Sequence, residues 1–201
     1  MNSGRNSIET GVEAGIETGV EAGVETGVET NIAASIERTA VFDGSGEYRY
    51  QLDRRWQDGP NVAFVMLNPS RADAHCDDPT LRACLQFAQR WRFGSLTVVN
   101  LFGYRTPHPK VLTQVRDPIG AENDAYVKAA ASRAERVVLA WGNWGGLKRR
   151  DRAILSQLEP YSEKLHYLQL NRSGHPRHPL YIKRDVPLSR YAATNGHQSL
   201  E

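Results

Sequence analysis

Two asparagines and two His-Pro dipeptides carry the side chains best suited to chemistry. Asn68-Pro69-Ser70 follows one apolar run, Asn100 ends another, and His175-Pro176 and His178-Pro179 lie near the end of the chain. An amide offers both a donor and an acceptor, so Asn100 suits a pyrimidine edge or any amide-like base edge. His175 and His178 stand three apart, but spacing places no third ligand beside them, and neither a metal nor an organic cofactor is expected. Asp78, before Pro79, reads as a helix cap, while Asp73 and Asp77 read as general bases or as loop solvation. Trp141 and Trp144 flank Asn143 and can stack on a base or pack in a core. Arg105, Lys110, Arg172, Arg177, Lys183 and Arg184 sit near the same loops and form a candidate phosphate-binding set.

For such dispersed residues to meet, the elements between them must point the same way. Val62–Leu67, Leu96–Leu101, Arg136–Trp141 and His166–Leu170 are apolar runs of the kind that forms strands buried on both faces. Between them the pattern predicts helices from Asp78-Pro79 to Trp91, over Gly120–Ala134 and over Gly146–Leu158. Strands alternating with helices predict a three-layer α/β/α sandwich around a four-stranded parallel sheet of order 2-1-3-4. Ala40–Asp43 and Tyr48–Leu52 flank a Gly-Ser-Gly turn and predict an additional N-terminal β-hairpin. A parallel sheet binds ligands at the carboxyl ends of its strands, which is where the asparagines, the tryptophans and the His-Pro segment with Tyr181 fall.

The length of 201 residues suits one folded domain, expected over 39–192. Residues 1–38 carry a four-residue repeat (ETGV, EAGI, ETGV) and are expected to form an acidic, disordered, low-complexity tail; 193–201 are expected to form a flexible end. The net charge of +2 hides an asymmetry. Residues 1–47 hold two arginines against nine acids, leaving 23 basic and 14 acidic residues for 48–201. A basic domain suits a phosphate-bearing partner, nucleic acid or nucleotide, although a positive surface also aids solubility. Cys76 and Cys84 are too few for a four-cysteine cluster and are expected to be free thiols. No apolar run reaches membrane-spanning length and no signal segment opens the chain, so a cytoplasmic location without membrane contact is expected.

Taken together, the motifs resemble the uracil-DNA glycosylase superfamily. Met66-Leu67-Asn68-Pro69-Ser70 is similar to its G-x-N-P-G motif, with Met66 and Ser70 in place of the glycines. Asn100 with the basic loop through Arg105-Thr106-Pro107 matches the second motif, and the His-Pro segment matches its His-Pro-Ser loop. The resemblance implies that Asn68 orients water toward the anomeric carbon and that His178, or His175, hydrogen-bonds the departing base. It implies hydrolysis of an N-glycosidic bond in nucleic acid or nucleotide; the alternatives are a non-catalytic nucleic-acid or nucleotide-binding domain and an enzyme of other chemistry at the same rim. The set NPS-x-AD, DDPT, VVN and HPLY also resembles a bacterial family described only as a domain of unknown function.

Overall fold

The computed structural model describes residues 7–11 and 36–192. The strands are β1 (Ser7–Gly11), β2 (Glu37–Phe42), β3 (Arg49–Arg55), β4 (Asn61–Met66), β5 (Ser95–Asn100), β6 (Arg136–Leu139), β7 (Leu165–Tyr167) and β8 (Ser189–Arg190). The helices are α1 (Pro79–Arg90), α2 (Asn123–Arg133) and α3 (Arg150–Gln157). All eight strands form one sheet of order β1-β2-β3-β5-β4-β6-β7-β8.

This corrects the expected four-stranded parallel sheet with a separate hairpin. β5, β4, β6 and β7 are neighbours and pair in parallel, but they are the middle of a mixed sheet. The hairpin is part of that sheet, because β3 pairs antiparallel with β5, setting Leu52 opposite Val98. β8 closes the other side antiparallel to β7. Hairpin signals are local, whereas the strand that a hairpin docks against lies far away in sequence.

Alternation along β4 explains the layers. Val62, Phe64 and Met66 face the cluster completed by Leu81, Cys84, Leu85 and Phe87 of α1. Ala63 and Val65 face the opposite cluster, with Val127 and Ala130 of α2 and Ile154 of α3. Helices therefore cover both faces of the sheet centre.

Smaller differences have local causes. The helix expected over Gly146–Leu158 begins only at Arg150, because Lys148 and Arg149 adopt left-handed backbone angles, φ 51° and 57°. The strand expected over His166–Leu170 is Leu165–Tyr167, beyond which Leu170 bridges Pro176 within the His-Pro segment. Ser7–Gly11, expected within the tail, pairs antiparallel with β2 as an edge strand, and Glu37 and Arg38, also expected within the tail, open β2; residues 1–6, 12–35 and 193–201 lie outside the described residues. Among the described residues no helix is long and apolar enough to cross a membrane.

Candidate functional site

β4 stands at the sheet centre, and successive connections leave it to either side, to β5 and then back past it to β6. That reversal opens a crevice at the strand ends. A cleft of about 400 Å³, including its open mouth, is lined there by Asn68, Ser70, Asn100 and His178, together with Arg49, Asp78 and Thr80. Asn68, Ser70, Asn100 and His178, candidates from three widely separated segments of the chain, thus reach one cleft.

Asn68 lies two residues beyond β4. Its Nδ2 donates to the carbonyls of Pro69 at 2.9 Å and Thr106 at 2.7 Å, with the Tyr104 carbonyl at 3.5 Å. A ring of carbonyl oxygens can be met only by the NH₂ end of the amide, so Oδ1 is the end left to accept a proton from an occupant or water. Asn100, the last residue of β5, is 1 % exposed, and its Nδ2 has no partner among the described residues. Its backbone carbonyl is held by Asn123 Nδ2 at 2.9 Å. Arg150 Nε donates to the next carbonyl, Leu101, at 3.0 Å and its guanidinium pairs with Asp124 at 2.5 Å. A buried network therefore pins the strand end that presents Asn100.

His178 caps the short 3₁₀ turn Pro179–Tyr181, its Nδ1 accepting from the Leu180 N–H at 3.4 Å. An accepting Nδ1 places the imidazole proton on Nε2. Burial holds the ring below its ordinary pKa of 6.5, against the opposing pull of Asp78, so it is a neutral donor at pH 7. The loop is held to the strand ends by Gly142 N–H to the Pro176 carbonyl, 2.8 Å, and by Arg177 N–H to the Gln169 carbonyl, 2.8 Å.

The carboxylate at the cleft is Asp78. Its Oδ1 caps α1 by accepting from the Leu81 N–H at 2.8 Å, as its place before Pro79 implies, and the same residue lines the cleft. Asp73 does not line it. Burial raises the Asp73 pKa, but the His75 and Cys76 N–H groups, each 2.8 Å from Oδ1, outweigh that and hold it low, as in a turn-closing side chain. Asp77 pairs with buried Arg54, at 2.9 and 2.8 Å. Arg49, missed in the sequence, also reaches the cleft; its Nη1 donates to the Ala72 carbonyl. Arg49 and Arg54 of β3 thus both hold the 71–78 loop, since Arg54 also bonds the Asp73 carbonyl at 2.5 Å. The only signal for this was one charged residue, Arg49, inside the expected strand Tyr48–Leu52; Arg54 lies beyond its expected end.

The remaining candidates lie outside the cleft. Trp141 is 2 % exposed and packs in the core beneath Gly145. Asn143 accepts from Ser173 Oγ at 3.0 Å on the surface, and His175 Nδ1 lies 3.7 Å from Asp151. Pro69 is buried, its carbonyl accepting from the Thr106 N–H at 2.9 Å. Tyr181 is 67 % exposed and its ring stands 5.7 Å from that of His178, at the rim. Arg105 lines an adjoining groove with Arg71, and Ser70 belongs to both hollows. Arg177 is exposed, 3.4 Å from Gln169 Oε1. Over residues 49–180 the chain matches the model of the family described as Protein of unknown function (DUF1643). No curated protein and no solved structure matches the chain.

Proposed function

This chain belongs to the DUF1643 family, and we propose that it hydrolyses the N-glycosidic bond of a nucleobase in nucleic acid or in a nucleotide. The observation that carries the reading is the meeting of Asn68, Asn100 and His178 at one cleft. The resemblance of their motifs to the uracil-DNA glycosylase superfamily supports it.

In this reading Asn68 Oδ1, oriented by its bonds to the carbonyls, accepts from a water and aims it at the anomeric carbon. Water adds through oxygen as the carbon–nitrogen bond breaks, and the bonding pair leaves on the base. The proton released by water passes to the Asp78 carboxylate and then to the base. His178 Nε2–H stabilises the base anion as an oxyanion donor does, and Asn100 reads its edge. Substrate phosphates lie in the adjoining groove near Arg71 and Arg105. Trp144, Leu180 and Tyr181 are the exposed large apolar side chains among the described residues. Trp144 lies in the 3₁₀ segment Gly142–Arg149, which also carries Lys148 and Arg149, and Leu180 and Tyr181 follow Arg177 and His178, a mixture of rings and cations that suits an unpaired nucleic-acid strand.

The test is incubation of the protein with modified-base oligonucleotides and free nucleosides, with released base detected by mass spectrometry. Base release lost in His178→Ala by roughly 10²–10³-fold, as for one oxyanion donor, is the expected result. Tight binding of the same oligonucleotides with no release would replace the hydrolase by a binding domain.

A further inference from the structure

Arg49 reaches the cleft from β3, outside the strand-end loops that carry the motifs. It is 3 % exposed, and burial draws its pKa down to about 10, which leaves it protonated at neutral pH. Nη1 is used on the Ala72 carbonyl, and Asp78 is the carboxylate that favours its charge most. Nε–H has no partner among the described residues. Asn100 lines the same cleft, is equally buried, and its Nδ2 is likewise unpartnered. Buried donors in folded proteins are nearly always satisfied, and the rare exceptions call for an explanation. Two of them lining one cleft, one on a guanidinium, mark where acceptor atoms of an occupant belong.

We infer that Arg49 and Asn100 form an acceptor-binding pair, so that the ring held in the cleft presents carbonyl oxygens or an anionic ring nitrogen to them rather than amino groups. The inference rests on the proposed function in taking the occupant to be a base. It adds a selection between oxo and amino rings, and a role for a residue of the hairpin.

Calorimetric titration of the full chain tests it with three probes: xanthine, a dioxo purine; adenine, an amino purine with no ring oxo group; and inorganic phosphate. Xanthine binds, and adenine binds at least tenfold more weakly. Arg49→Met weakens xanthine by roughly tenfold or more, the effect of one lost charge-assisted hydrogen bond, and leaves adenine unchanged. Should Arg49→Met fail to fold by circular dichroism, Asn100→Asp, which places an acceptor where the donor was at nearly the same volume, carries the same expectation. Displacement of xanthine by phosphate shows that the pair accepts oxyanions generally and supports it. Equal affinities for adenine and xanthine, no binding of xanthine or phosphate, or an unchanged xanthine affinity in both variants overturns it. Xanthine affinity that depends on Arg49 in a protein releasing no base leaves the pair standing and removes the hydrolase; base release with equal adenine and xanthine affinities does the reverse.

Discussion

Asn68 has two roles that one truncation removes together. Its NH₂ ties the Asn-Pro-Ser turn to the 104–106 loop, and in the proposed reaction its oxygen accepts from the attacking water. Asn68→Ala is expected to abolish base release and to cost ~1–2 kcal/mol of stability for the lost bonds. Asn68→Asp, nearly identical in shape, sets a carboxylate against backbone carbonyls and unfolds at lower urea than Asn68→Ala. The reverse order would mean that the amide is turned the other way. His178 gives a pH signature. Its folded pKa lies below the ordinary 6.5, so as pH falls the unfolded chain takes up the proton first. The stability it contributes is complete above pH 6.5 and is lost as pH falls through the folded value. Urea unfolding at pH 7.5 and pH 5 shows a fall in the wild type, and that part of the fall is absent in His178→Gln. These individual roles were only half legible beforehand: the residue types suggested the chemistry, but which amide oxygen is free and which ring nitrogen holds the proton depend on neighbours from distant segments.

At the scale of elements, α1 brings its cap to the cleft. Asp78→Asn keeps a good cap and removes the charge, so unfolding changes little while base release falls; Asp78→Ala loses both and costs about 1 kcal/mol in addition. Base release left unchanged in Asp78→Asn would reduce Asp78 to a cap. Asp-Pro before an apolar helical face made this helix and its cap readable in sequence. The same local reasoning failed for the third helix, where extended Leu147 and the left-handed Lys148 and Arg149 break the pattern before Arg150. A Cβ at Gly145 would stand 2.0 Å from Trp141 Cδ1. Gly145→Ala is therefore expected to destabilise by ~1–3 kcal/mol through overpacking, seen as a lowered midpoint in thermal unfolding. Trp141 had been open to either a stacking or a packing role, and that close approach of a backbone assigns it to packing.

For the molecule as a whole, the gathering of strand ends at one rim was legible because buried apolar runs alternating with helices imply a common direction. The extent of the sheet was not. β3 pairs with β5 across an intervening strand and helix, and its inward arginines, Arg49 and Arg54, break the apolar pattern that marks core strands. Those same arginines hold the 71–78 loop and so build one wall of the cleft. The hairpin is thus part of the site. The central claim, hydrolysis of an N-glycosidic bond at that cleft, is tested most directly by reaction in ¹⁸O-water with mass analysis of both products. Hydrolysis there gives free base without label, one ¹⁸O at the anomeric carbon of the remaining sugar, and neither product from Asn68→Ala. Intact substrates throughout the panel, or label incorporated equally by the wild type and Asn68→Ala, would contradict it.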